Sequence, residues 1–295
     1  MHNRQLGLLI LCFVFAAFIL TGCPNGDKPD DPCAKGHNWD NWELTTLPNF
    51  QTKTPGKETR ICSRCQELAS QIYPIYKLGD TGPGGGIIVF IADGEGTILD
   101  DDGNYIPKPE SFTFYTSGSD NTGKKVYYLE ASPANLLNPD DPESAAMQWA
   151  TKTFDIPNLS ELKADWPLGR GKKNIDIILA HAAANDYEAP ASKVCLEYES
   201  NGKKDWYLPG KLELDEIFYF YNELHVVFTD DEPLKPGFNQ DKEYLRKIYD
   251  SFARTQYWTS SQYNAEMGRD RNFFSGYVFG GFKTEPRCVR AVRAF

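Results

Sequence analysis

The chain has 295 residues, 41% hydrophobic and 14% aromatic, with a formal net charge of −10 and a mean hydropathy of −0.50. That balance supports a sizeable core and excludes general disorder. An excess of acid on this scale repels phosphate backbones at long range, which excludes nucleic acid as a partner.

Arg4 precedes an uncharged apolar run, Leu6–Leu20, which ends in Leu20-Thr21-Gly22-Cys23. The run falls short of the roughly 20 residues that a membrane-spanning helix needs. A positive start, an apolar middle and small residues before a cysteine read as an export signal over residues 1–22. The Leu-Thr-Gly-Cys ending is similar to a bacterial lipobox, which implies cleavage before Cys23 and acylation of its thiol and new amino group. The alternative is an ordinary signal peptide, or an uncleaved anchor with Cys23 incidental. Several acyl chains anchor lastingly where one binds only marginally, so a membrane is the expected partner through Cys23. Residues 23–32, rich in Pro and Asp, read as a hydrated tether.

Residues 33–70 carry four ligand-type side chains in two pairs, Cys33-x3-His37 and Cys62-x2-Cys65. Each short pair can supply two corners of a tetrahedral zinc, and the intervening loop brings the pairs together. That loop reads as a hairpin with its turn near Pro55-Gly56. A segment this short cannot hold a self-sufficient core and needs a staple. A Cys62–Cys65 disulfide is the alternative staple in an oxidising compartment. Four protein ligands would fill the zinc shell and make its role structural. The pattern resembles small zinc-ribbon-like modules of exported bacterial proteins.

The main region runs from 76 to 295. Gly82-Pro83-Gly84-Gly85-Gly86 precedes a strand, Ile87–Ile91, and no Gly-Lys-Ser/Thr follows, so it reads as a tight turn and not a phosphate loop. The acidic stretch Asp93–Asn104 fails the EF-hand spacing, so calcium is not expected there and a solvated turn is. Tyr127-Tyr128-Leu129 reads as the next strand. Leu137–Gly171, rich in Pro and Asp, reads as an irregular packed region. Helices are expected over Asn174–Ala184 and Ala191–Tyr198, the second beginning at Pro190. His181 and His225 sit in no catalytic pattern and read as structural.

Asn201-Gly202 is a turn, Trp206-Tyr207-Leu208 an aromatic strand, and Pro209-Gly210 a break before an amphipathic helix. That helix places Leu214, Ile217, Phe218, Tyr221 and Leu224 on its apolar face. A short helix is expected over Asp241–Phe252. Tyr257-Trp258-Thr259-Ser260-Ser261 is an aromatic strand, and Phe273–Phe282 reads as tight aromatic hairpins. The chain ends on Val289–Phe295, which alternates apolar residues with Arg290 and Arg293. That is the pattern of a strand with one buried face closing a sheet begun far upstream. The remaining thiols, Cys195 and Cys288, are natural partners in an exported protein; two buried free thiols are the alternative.

The stretches Asn201–Leu214, Tyr257–Tyr263 and Cys288–Phe295, with Gly79–Phe90 and Tyr128–Leu136 upstream, resemble the marks of the Lcl C-terminal domain family. The resemblance covers Tyr76 to Phe295. It implies an α+β, C-type-lectin-like domain with irregular loops and two or three helices, related in fold to the formylglycine-generating sulfatase activators. It also implies that Cys195 and Cys288 form the disulfide that staples a helix to the last strand. The Glu-Pro-Asn, Gln-Pro-Asp and Trp-Asn-Asp triplets of calcium-dependent sugar binders are absent, so a calcium-bridged sugar site is not supported.

The expected protein is a lipid-anchored envelope lipoprotein, at the outer membrane or cell surface rather than the cytoplasmic membrane. It would present a non-catalytic module for a carbohydrate or protein ligand, with Trp258, Tyr263 and Tyr277 as candidate contacts; a place in the core is the alternative for such aromatics. The alternatives are an enzyme of the formylglycine-generating class using a cysteine pair, or a purely structural envelope lipoprotein.

Overall fold

The computed structural model describes residues 32–33, 36–100, 104–115, 123–157, 159 and 168–295. The export segment, Cys23 and most of the tether lie outside the described residues. The chain divides into two compact units, Met1–Ile75 and Tyr76–Phe295.

The first unit holds one antiparallel sheet in the order β1 (Glu43–Thr46), β2 (Gly56–Ile61), β3 (Leu68–Tyr73). The sequence places the hairpin turn near Pro55-Gly56, but the chain reverses earlier. Asn49 and Thr54 exchange backbone hydrogen bonds of 2.9 Å, Asn49 Oδ1 accepts the Thr52 N–H at 2.8 Å, and Lys53 takes a φ of +53°. Gly56 is already in β2. A Cβ there would lie 2.5 Å from the Thr46 carbonyl oxygen, so close strand approach, not turning, requires the glycine. Buried apolar side chains are few among this unit's described residues: Cys33, Pro48, Cys62 and Tyr73.

The second unit is α+β. Its strands are β4 (Ile87–Ile91), β5 (Thr97–Leu99), β6 (Tyr105–Pro107), β7 (Phe112–Tyr115), β8 (Gly123–Val126), β9 (Tyr128–Ala131) and β10 (Ala146–Gln148). Then come α1 (Gly171–Ala184), α2 (Pro190–Glu197), α3 (Lys211–Thr229) and α4 (Lys242–Asp250). The chain finishes with β11 (Gln256–Gln262), β12 (Met267–Asn272), β13 (Val278–Phe282), β14 (Pro286–Cys288) and β15 (Val292–Ala294). One sheet has the order β15-β9-β4 and a second β10-β14-β11-β12-β13; β5–β6 and β7–β8 are separate hairpins. The resemblance implies two or three helices; four are described, among them α4, the short helix expected over Asp241–Phe252, capped by the Asp241 side chain on the Tyr244 N–H.

β15 pairs antiparallel with β9, Val292 opposite Ala131, and so closes the sheet that β4 opens. The expected half-exposed alternation is absent, since Arg290 and Arg293 are as buried as Val289 and Val292. Both guanidinium groups find partners inside. Arg290 donates to the Ser132 and Ser251 carbonyls and lies 3.8 Å over the Phe252 ring. Arg293 donates to Glu130 at 2.9 Å and forks onto Asp205 at 2.8 and 2.9 Å. Paired this way, the charges tolerate burial.

The glycine-rich turn has a use beyond turning. The buried Glu130 carboxylate accepts N–H bonds from Gly84 at 2.9 Å and Gly86 at 2.7 Å, opposite Arg293. A Cβ on Gly82 would sit 2.5 Å from this carboxyl group. Glu213 is held in a second cradle, by the N–H groups of Gly169, Gly171 and Gly210 and the Tyr207 hydroxyl, at 2.6–3.2 Å. Burial nevertheless outweighs these donors and pushes its pKa up to about 7. Glu213 thereby fixes the first turn of α3, whose apolar line Leu214, Ile217, Tyr221 and Leu224 is buried as expected, with Phe218 half-buried. Trp206-Tyr207-Leu208 is fully buried but is no strand. Only Tyr207 pairs, with Val292, because Pro209 ends the run.

Candidate functional site

Cys33, His37, Cys62 and Cys65 converge, and their ligand atoms all lie within 4.8 Å of one another. Two tight turns present them. In the first, the Gly36 N–H bonds the Cys33 carbonyl at 2.8 Å with Gly36 at φ +90°. In the second, the Gln66 N–H bonds the Cys62 carbonyl at 2.8 Å with Gln66 at φ +59°. The turns are tied together. The Ser63 N–H bonds the Asn38 carbonyl at 2.8 Å, the Asn38 amide bonds Ser63 Oγ at 2.7 Å, and Arg64 reaches the Gly36 carbonyl at 3.1 Å. Trp39 and Cys62 form an antiparallel β-bridge.

Cys33 Sγ and Cys62 Sγ are 3.8 Å apart, and Cys65 Sγ is 3.4 Å from His37 Nδ1. No sulfur in the set is bonded to another. Burial opposes ionisation of Cys62, yet N–H donation from Cys65, Arg64 and Asn38, with His37, lowers its thiol to about 6. Cys33 is pushed well up, first by its hydrogen bond to Cys65, then by burial and by Cys62. Three sulfurs this close, one disposed to be a thiolate and one resisting it, form a donor set suited to a soft or borderline divalent metal. His37 presents Nδ1 inward. Its Nε2 lies 3.6 Å from Glu67 Oε2, and its ring stacks on Trp39 at 4.6 Å. A carboxylate behind a ligating imidazole fixes its tautomer and orientation. Sequence spacing does not single out Glu67; its place two residues after Cys65 is the signal that would have.

Cys195 and Cys288 are not joined. Each is a buried free thiol. Burial is the cause that raises each pKa, and neither thiol perturbs the other. Cys195 packs on the inner side of α2, and Cys288 sits in β14 between Ala146 of β10 and Tyr257 of β11. The apolar core thus holds α2 in place without a covalent link.

Trp258 is fully buried and is no surface contact. Its Nε1 donates to the Met147 carbonyl at 2.9 Å, because β11 lies inside its sheet and is covered on both faces. Tyr263 and Tyr277 are exposed, at 49% and 64%. Tyr277 immediately precedes β13, the edge strand that carries exposed Phe279 and Phe282, and Tyr263 immediately follows β11. Tyr263 packs across Gly280, where a Cβ would meet its ring at 3.0 Å, and Arg269 lies 4.9 Å over that ring. Tyr277 and Phe279 rings are 5.6 Å apart.

In the acidic stretch, Asp100 Oδ1 accepts the Asn104 N–H at 2.8 Å, a turn contact; Asp101 and Asp102 lie outside the described residues. His181 and His225 bond the Tyr187 and Tyr249 hydroxyls at 3.0 and 2.8 Å. Among the described residues no helix is long and apolar enough to cross a membrane.

No protein-family model matches the chain, and no curated protein matches it. A solved structure of a fimbrial protein from Bacteroides ovatus is similar at 12% identity with a TM-score of 0.40, over 82% of this chain and 57% of that one. The chain thus spans little more than half the length of that protein, and at this score the likeness settles neither fold nor function.

Proposed function

We propose that the chain is a lipid-anchored cell-envelope protein, attached through Cys23, in which a zinc-stapled module precedes a non-catalytic, C-type-lectin-like ligand-binding domain. Zinc is favoured by distances. Tetrahedral zinc with thiolates at about 2.3 Å and an imidazole at about 2.0–2.1 Å sets sulfur–sulfur edges of about 3.8 Å and sulfur–nitrogen edges of about 3.5 Å. Two of the six edges, Cys33–Cys62 at 3.8 Å and Cys65–His37 at 3.4 Å, match those values, and all four ligand atoms lie within 4.8 Å of one another. Cys33, His37, Cys62 and Cys65 would hold the ion, and four protein ligands leave no position for a reacting water.

The observation that carries the non-catalytic reading is where the reactive-looking groups of the second unit go. Glu130 and Glu213 are closed in backbone cradles. Lys283 is buried and lowered to about 8, with its ammonium on the Phe154 carbonyl at 2.6 Å and Gln262 Oε1 at 2.5 Å. Cys195 and Cys288 are raised by burial, opposite to what a nucleophilic thiol needs, which disfavours an enzyme of the formylglycine-generating type. The lectin-like reading draws on the motif order and on the terminal strand that closes the first sheet. Ligand contact is assigned to the exposed aromatic edge, Tyr263 and Tyr277, where planar rings suit a sugar face or a protein anchor.

Glycan and protein arrays probed with residues 24–295 test the binding role. Binding that weakens at least tenfold in Tyr263→Ala or Tyr277→Ala supports it; no binder of either kind contradicts it. Detergent-phase partition that is lost in Cys23→Ser tests the anchor.

A further inference from the structure

The second unit carries a cleft of about 380 Å³ between α3, β4 and the β5–β6 hairpin. That size is in the range of small-molecule sites. Its walls are mainly apolar, with Val89, Ile98 and Phe220 among them, and Phe220 stacks on Phe238 with centroids 5.7 Å apart. The charged side chains at the cleft are unevenly matched. Lys108 is paired with Asp93 at 2.7 Å and Lys235 with Glu223 at 2.5 Å. Arg271, nearby on β12, is paired with Asp215 at 2.5 Å, and Lys211 adds a second cation to Asp215 at 3.1 Å. Each of these cations is already paired with an acid, Arg271 and Lys211 sharing Asp215. Glu216 and Glu95 do not have a cation; neither carboxyl makes a hydrogen bond or ion pair among the described residues.

We propose that this cleft binds a small organic cation, an aryl or alkyl group bearing a primary ammonium, with the apolar part against the cleft wall and the ammonium on Glu216. A half-buried carboxyl without a donor is costly to leave unpaired, and an ammonium supplies both hydrogen bonds and charge. A sugar fits less well, because walls this apolar leave most hydroxyls without partners. A calcium ion fits less well, because it takes six to eight oxygens, and Glu216 and Glu95 supply too few. Burial first, then Asp215, pushes the empty Glu216 up to about 8, against the pull of Lys108 and Arg271. An incoming ammonium reverses that balance. Binding therefore releases a proton near neutral pH and tightens from pH 6 to 8. The other ionisable groups at the cleft are Glu95, Glu223, Lys235 and Tyr219.

The site goes beyond the proposed envelope role and shares no residue with the Tyr263–Tyr277 edge, so the two fail separately. The test is calorimetric titration of residues 24–295 with phenethylamine, with 2-phenylethanol as its neutral counterpart, and with the dipeptide Phe-Gly beside its N-acetyl form. Saturable binding of phenethylamine, at least tenfold weaker for 2-phenylethanol and at least tenfold weaker in a folded Glu216→Gln, is the expected result. Phe-Gly binding more tightly than phenethylamine assigns the amine to a peptide terminus; the reverse order assigns it to a free amine. No saturable binding of either amine at millimolar concentration overturns the proposal. So does equal binding of phenethylamine and 2-phenylethanol, which needs no variant to fold.

Discussion

Among the described residues, the Met1–Ile75 unit buries few apolar side chains and gathers three thiols and an imidazole, whereas the Tyr76–Phe295 unit has a continuous apolar core and closes several charges inside it. In the small unit Cys33 and Cys62 are themselves part of the little that is buried, so the ligand set and the core are nearly the same residues. A chain of that size gains too little from apolar burial to offset its conformational entropy, and a metal held by the four ligands would supply the difference. In the large unit apolar burial suffices. Its ionic pairs set how β4, β9 and β15 meet the Gly82–Gly86 turn and how α3 begins. Similar side chains, cysteine and glutamate, therefore serve different ends according to how much core surrounds them.

Metal removal separates the units most sharply. Chelation, or Cys62→Ser, abolishes the folded signals of the first unit and leaves those of the second, read by residue-resolved NMR; loss of both together contradicts the account. Next is Arg293→Met, which leaves Glu130 buried without its guanidinium. Breaking a buried pair from one side costs about 3–5 kcal/mol, so the urea midpoint of the second unit falls while the first is unmoved.

A pH effect of similar size belongs to the second unit. The folded pKa of Glu213, about 7, lies above its ordinary value of 4.5. Between those values the folded state keeps a proton that the unfolded state has lost. Stability therefore falls as pH rises from about 4.5 to 7 and levels off above, by about 3 kcal/mol. Glu216 adds a fall of the same sign that extends to about 8. Denaturant midpoints from pH 5 to 8 measure the slope, which Glu213→Gln flattens below pH 7. The smallest effect is at the aromatic edge. Tyr277→Ala changes stability by no more than about 0.5 kcal/mol, whereas Trp258→Ala costs about 3–5 kcal/mol, although both residues read as surface aromatics in the sequence.

What the sequence made legible is what its local spacing encodes. Cys33-x3-His37 and Cys62-x2-Cys65 are each confined to one turn, so the pairs announce themselves, and their convergence follows. The apolar line of α3 and the terminal strand are likewise local patterns. The cradle around Glu130 is not, because its donors, Gly84, Gly86 and Arg293, come from opposite ends of the unit. Alternation marks Arg290 and Arg293 as solvent-facing because it assumes that one face of the sheet is wet, and here both faces are covered. Trp258 fails for the same reason. Cys195 and Cys288 looked like partners by elimination, yet α2 and β14 are each held by packing and bring no bond between them.

Metal and thiol content of purified residues 24–295 tests the central claim most directly. The account predicts one zinc per chain and, after denaturation in chelator, five free thiols, those of Cys33, Cys62, Cys65, Cys195 and Cys288. A metal-free protein carrying a Cys62–Cys65 disulfide, with the first unit still folded, would contradict it.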